Sequence, residues 1–245
     1  NCAHPVDGDS CGECQSCRQM SKLIHPDVHY VFPVNKGPKT SDDKPTSESY
    51  IKYWRELALA NPYFTEADLQ RAIGIESKNG LIAVAEAKFI INTLSLTSVA
   101  DGYKAVILYL PEKMNQETAN RLLKMVEEPP EKTIFIFITH SPEKVLQTIF
   151  SRCQSVRVMP LSKEEAAQVK ALNPFDDSEE YDRFMDLFAD LMRAVVSGDL
   201  QAALECGEMA AALESREKQK AFCTFAGQCI RKIFMIQIGR ASCRE

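Results

Sequence analysis

Four of the nine cysteines, Cys2, Cys11, Cys14 and Cys17, fall within seventeen residues with the spacing C-x8-C-x2-C-x2-C. Overlapping C-x-x-C steps let thiolates converge on one ion at about 2.3 Å from each sulfur, and four of them close a tetrahedron with no position left for water. This is the donor set of a structural zinc site rather than a catalytic one. In small modules the metal contributes on the order of 10–16 kcal/mol of folding free energy and so substitutes for a core. A disulfide pair or a two-cysteine redox centre fits less well, because four cysteines are clustered and a redox motif uses two. His4 and His25 are the alternative ligands in place of Cys2. Cys153, Cys206, Cys223 and Cys229 lie in helical or apolar surroundings and read as buried fillers.

The second candidate region is the pair of points where two apolar runs end. Lys104-Ala-Val-Ile-Leu-Tyr-Leu110 leads into Pro111-Glu112, and Thr133-Ile-Phe-Ile-Phe-Ile-Thr139 leads into His140-Ser141. In open parallel sheets functional groups gather at the carboxyl edge. A nucleotide-hydrolysing site would place a metal-binding aspartate followed by a glutamate at the end of the first run, and Pro111 takes the aspartate's place. Glu112 alone does not restore the pair, and a solvated residue at the strand exit is its plainer reading. No G-x-x-x-x-G-K-[ST] phosphate loop occurs in the chain. Lys36-Gly37-Pro38-Lys39-Thr40 has proline between glycine and lysine and cannot form the amide cradle.

The elements that must position these groups follow from periodicity. Both apolar runs are rich in β-branched and aromatic residues, as expected of neighbouring parallel strands covered on both faces. Between them, Asn115 caps a helix that carries Ala119, Leu122, Leu123, Met125 and Val126 as one stripe, and Pro129-Pro130 stops it after Glu128. Val28 to Phe32 is a further strand, following a helix that runs on from Cys17. Lys78-Asn79-Gly80 suggests a hairpin turn between Ile75 and Val84, and a helix is expected from Ala85 to Leu96. Lys36 to Ser49, rich in Gly, Pro, Lys, Asp and Ser, reads as a mobile insertion without chemistry.

The motif Asn120-Arg-Leu-Leu-Lys124 through Glu127-Glu-Pro-Pro130, with Thr148-Ile-Phe-Ser-Arg-Cys-Gln154, resembles the core signature of bacterial DNA polymerase III clamp-loader subunits. The cysteine module with Arg18 and His25-Pro26-Asp27 matches that family in order and spacing. The resemblance covers Cys2 to Pro160 and implies an α/β, parallel-sheet AAA+ (P-loop NTPase-like) core at 1–160, carrying the zinc module at 1–27. A helical lid at 161–214 and the start of an all-α collar domain at 215–237 would follow.

Two types in this family share the motifs: an ATP-hydrolysing gamma or tau type and a non-hydrolysing delta-prime type. Pro111-Glu112 matches the second. By the resemblance, Arg152 in Ser151-Arg152-Cys153 is an arginine finger that reaches ATP held by a neighbouring subunit, so that the chain needs no nucleotide of its own. Taken without its motif, Arg152 is an arginine paired with a nearby carboxylate. Lys124 and Asn120, on one face of their helix, would face DNA. The implied partners are gamma/tau and delta subunits, the sliding clamp and primer-template DNA, in the bacterial cytoplasm. Two rival readings are a gamma-type motor whose phosphate loop lies upstream and an unrelated zinc-knuckle nucleic-acid binder.

Composition sets outer bounds. The chain has 245 residues, 45% of them hydrophobic, and a net charge of -5, which disfavours a freestanding nucleic-acid binder. No apolar run approaches the roughly 20 residues of a membrane helix. Downstream, Ser162-Lys-Glu-Glu165 is a capping box that starts a helix to Leu172. Further amphipathic helices are expected at Glu179 to Val196, Asp199 to Leu213 and Arg216 to Ile236. The chain starts at Asn1 rather than methionine and reads as a piece, and residues 238–245 continue no apolar period and read as a tail foreign to the fold.

Overall fold

The computed structural model describes residues 1–76, 78–95, 98, 102–159, 178–213 and 216–241. The chain divides into two compact units, Asn1–Pro174 and Phe175–Glu245. The first is built on three parallel strands, β1 (Val28–Val31), β2 (Lys104–Tyr109) and β3 (Thr133–Ile138), in the order β1-β2-β3. Before β1 lies α1 (Gln15–Ser21), and between β1 and β2 lie α2 (Ser47–Ala60), α3 (Glu66–Ile73) and α4 (Val84–Ser95). A 3-10 turn (Pro111–Lys113) and α5 (Gln116–Glu127) connect β2 to β3, and α6 (Gln147–Phe150) follows.

The central strand shows why the order works. Along β2, Val106 and Leu108 point into one apolar cluster with Ile90 and Leu94 of α4 and Leu122 of α5, all at most 2% exposed. The alternate residues Ala105, Ile107 and Tyr109 pack against a second cluster with Tyr50 and Trp54 of α2 and Leu69 and Ile73 of α3. Helices thus cover both faces of β2, as parallel pairing requires.

Double covering does not extend to β3. The register pairs Ala105, Ile107 and Tyr109 with Ile134, Ile136 and Ile138, and these isoleucines are 46%, 44% and 42% exposed. Only Phe135 and Phe137 pack into the first cluster. Isoleucine and phenylalanine alternate here, so the run is apolar throughout although only one of its faces is covered by described residues.

Caps set the helix starts. Asn115 Oδ1 accepts from the Thr118 N–H at 2.8 Å, as its position before α5 predicts. Thr65 and Asp68 form a reciprocal box at α3, with Asp68 accepting from Thr65 N–H at 2.8 Å and Thr65 Oγ1 from Asp68 N–H at 3.3 Å. The expected hairpin around Asn79-Gly80 does not form. Leu81 instead bridges to Val34 and Ile82 to Met114, because the long-range pairing buries Ile82 completely.

The segment from Lys36 is anchored rather than free. Tyr50 Oη accepts from the Gly37 N–H at 3.0 Å, and Lys39 donates to the Ala72 carbonyl at 2.7 Å. A Cβ on Gly37 would lie 2.9 Å from Ile75 Cγ2, so glycine permits the close approach. Residues 47–49, read with that segment, already belong to α2.

The second unit comprises α7 (Ser178–Ser197), α8 (Leu200–Ala211) and α9 (Arg216–Ala241). Gly198, at φ +74°, turns the chain between α7 and α8, and Asp199 Oδ1 caps α8 by accepting from Ala202 N–H at 3.0 Å. Phe184 of α7 meets Phe222 of α9 at 5.5 Å between ring centroids, and Phe188 meets Phe225 at 6.3 Å. The helix runs on past Gln237 to Ala241, so the first residues of the expected tail are helical. The capping box at Ser162 and its helix lie outside the described residues. Among the filler cysteines Cys206 is buried, Cys153 and Cys229 are half-buried and Cys223 is exposed.

In the first unit a buried carboxyl joins α4 to the start of α2. Glu86, 1% exposed on α4, accepts from the Ser47 N–H at the start of α2 at 2.7 Å, while its other oxygen has no partner. Burial raises it from the ordinary 4.5 to about 7, against the opposing Ser47 hydrogen bond. The folded protein therefore holds this proton more tightly than the unfolded chain does. The stability it confers is full below about pH 4.5 and declines as pH rises through about 7. Glu86→Gln keeps the acceptor and should flatten that decline in urea titrations between pH 4.5 and 8, measured against the parent. Identical slopes in both proteins would contradict it.

Candidate functional site: a cysteine cluster and an arginine beyond the last strand

The four predicted thiols come together. The ligand atoms of Cys2, Cys11, Cys14 and Cys17 all lie within 4.8 Å of one another, and Cys11 Sγ is 3.9 Å from Cys17 Sγ. A tetrahedron with metal–sulfur bonds of about 2.3 Å has edges of about 3.8 Å, so the spacing fits a metal ion. The Cys2 sulfur accepts from Cys11 N–H at 3.3 Å and the Cys11 sulfur from Cys14 N–H at 3.4 Å. Such donors favour sulfur in its thiolate form.

The charges point the same way. The Ala3 backbone N–H, then that of Cys17, holds Cys14 down to about 6, and the Cys11 backbone lowers Cys2. The neighbouring Cys14 sulfur, followed by burial, pushes Cys17 up to about 12. One thiolate thus suppresses ionisation of the next, a conflict that a central cation relieves.

His25 takes another role. It is 2% exposed, its Nδ1 accepts from Asp27 N–H at 3.2 Å, and its Nε2 lies 2.9 Å from Ser16 Oγ. An accepting Nδ1 leaves Nε2 as the proton carrier in a neutral ring, so His25 ties α1 to the entry of β1 and stays out of the cluster. Asp27, 2% exposed, also accepts from Ser98 Oγ at 2.9 Å. The cysteine module is thereby fastened to the sheet.

At the carboxyl edge, Leu110 leaves β2 with φ +60° and Pro111 opens the 3-10 turn. Glu112 is drawn to the neighbouring strand end, accepting from Thr139 Oγ1 at 2.8 Å, and Lys113 pairs with Glu66 at 2.7 Å. A cleft of about 510 Å³ opens here between Tyr63, Glu66, Tyr109, Glu112, His140 and Lys144. Burial, then the carboxylates of Glu66, Glu112 and Asp68, pushes the Tyr109 phenol up to about 12.

Arg152 stands in the turn after α6. Ile149, 1% exposed, and the half-buried Cys153 pack into the core on either side of it. Arg152 is left outward, with 34% of its side chain exposed. Its Nε donates to Glu127 Oε1, and its Nη1 donates to the Thr148 carbonyl at 2.8 Å. Lys124 and Asn120 are both exposed on α5, and neither touches the cysteine cluster. The carboxylate pairing expected of Arg152 when taken without its motif is present, and Glu127 is the partner that the sequence did not name. The available signal was a carboxylate in the last turn of a helix, where the dipole disfavours it.

The family profile described as "DNA polymerase III, delta subunit" matches residues 1–162. Among curated proteins, the DNA polymerase III subunit delta' of Pseudomonas aeruginosa is 27% identical over 152 residues, 62% of this chain and 34% of that protein. Its namesake in Yersinia pestis is 33% identical over 146 residues, 59% of this chain and 30% of the relative. That of Escherichia coli K12 is 28% identical over 153 residues, 62% and 33%. The chain thus spans about a third of the length of these relatives. A gamma subunit-related protein of Thermotoga maritima aligns with TM-score 0.35 and 18% identity, covering 86% of this chain and 77% of that one. With the profile matching well over half of its residues, the chain belongs to the DNA polymerase III delta subunit family.

Proposed function

We propose that the protein is a non-hydrolysing, AAA+-type subunit of a bacterial clamp loader that supplies Arg152 to ATP held by a neighbouring subunit. The observation that carries this reading is Arg152 itself: an outward guanidinium fixed just beyond β3 and α6 by buried neighbours. A planar cation held in this way stabilises charge spread over a transferring phosphoryl group. Pro111 in place of a metal-binding carboxylate, with Glu112 turned to Thr139, supports a chain that does not hydrolyse ATP itself. The partners would be gamma/tau and delta subunits, the sliding clamp and primer-template DNA, and helix α9 would lead into the collar through which subunits assemble.

The cysteine cluster is read as a structural zinc site. Four thiols complete a tetrahedron with no open coordination position, so the ion would fold the loops around α1 and, through His25 and Asp27, brace β1. Lys124 and Asn120 are read as facing DNA in the assembled complex, with Lys124 on a phosphate.

Each part has its own measurement. Arg152→Ala should lower the DNA-stimulated ATP turnover of the reconstituted complex about tenfold or more while leaving assembly intact, and an unchanged rate would remove the finger. Metal analysis of protein purified without chelator should find about one zinc per chain. A value near zero would defeat the metal reading. Lys124→Ala should reduce the salt slope of DNA binding by the complex by about one, whereas an unaltered slope would take Lys124 away from the phosphates.

A further inference from the structure

The Arg152 guanidinium is held by its own chain in a particular way. Nε is engaged by Glu127, and Nη1 by the Thr148 carbonyl at 2.8 Å and by Ser151 Oγ at 3.4 Å. Glu127 belongs to α5, Thr148 to α6 and Ser151 to the turn that follows α6. Nη2 takes part in none of these contacts, and a third of the side chain is open to solvent. This leaves the Nη2 donors for an incoming anion while Nε and Nη1 fix the plane.

Glu127 sits in an unfavourable place for a carboxylate. It is the last residue of α5, at the negative end of the helix dipole, and Glu128 follows it. Helix stability therefore gives no reason for an acid there, whereas a neighbouring cation does. The pair joins two elements whose positions the core fixes independently, α5 through Leu122 and α6 through Ile149. The carboxylate therefore presents a fixed point against which a long side chain is oriented. Without it, only the contacts to Thr148 and Ser151, on its own short helix and turn, would restrain the guanidinium. Its rotamer freedom would have to be lost when it meets phosphate.

We propose that Glu127 is a positioning residue for Arg152: it fixes the plane of the guanidinium so that Nη2 is left for a phosphate on another subunit. The carboxylate touches neither nucleotide nor phosphate and acts only through the arginine. This inference rests on the finger reading above.

The test uses full-length subunit reconstituted with its partner subunits, assayed for ATP turnover with clamp and primed DNA. Glu127→Ala should lower kcat about tenfold with KM for ATP changed less than about twofold, because orientation of a transition-state group is lost and not ground-state binding. Glu127→Gln retains an oxygen acceptor for Nε and should recover most of the rate, an outcome that a charge latch holding the finger back would not give. Adding Glu127→Ala to Arg152→Ala should change nothing further. A normal rate in Glu127→Ala while Arg152→Ala is impaired overturns the positioning role alone. So does an additive loss in the double variant, or a glutamine variant as slow as the alanine one. A normal rate in Arg152→Ala brings down the finger reading and this inference with it.

Discussion

A guanidinium serves a phosphate on another molecule only if its own chain fixes its direction without occupying all of its donors. Arg152 meets both conditions through a small number of contacts. Ile149 and Cys153, packed into the core, hold the turn that carries it, and Glu127 and Thr148 engage only part of the fork. An exposed ion pair of this kind is worth about 0–1 kcal/mol. Its consequence is therefore geometric, and little of the chain's stability depends on it.

The rest of the first unit can be understood as the mounting for that turn. Central β2 is clamped between two helical layers, and β3 is registered against it over its whole length. The residue after β2 leaves in a left-handed conformation and Pro111 turns the chain at once, so the end of β2 leads to Glu112 and Thr139. At the opposite end of β1, the cysteine module is secured through Ser16, His25 and Asp27. A metal at the cysteines would stiffen a loop-rich segment that has almost no buried apolar side chains of its own, Cys17 being the exception in α1.

Much of this was legible in the residues, for identifiable reasons. Cysteine spacing is a short-range signal, and the four thiols converge as the two C-x-x-C steps require. Asn115 and the Pro129-Pro130 stop bracket α5 because caps and prolines act locally. What was missed depends on distant partners or on caps left unread. Helices α2 and α3 have start signals in Thr46 and in Thr65-x-x-Asp68, yet the first lay hidden at the end of a polar stretch. The hairpin at Asn79-Gly80 was lost to a long-range bridge with Val34. The open isoleucine face of β3 was masked by phenylalanines that are equally apolar. Buried Glu86 and the Glu127 partnership arise only once helices far apart in sequence are brought together.

The most direct measurement is the separation between the Arg152 guanidinium and the terminal phosphate of an ATP analogue bound to the adjoining subunit, in an experimental structure of the assembled loader. Charge-assisted contact, at about 2.7–2.9 Å, is the predicted result. A guanidinium turned toward its own domain, with the nucleotide of the adjoining subunit out of its reach, would contradict the account.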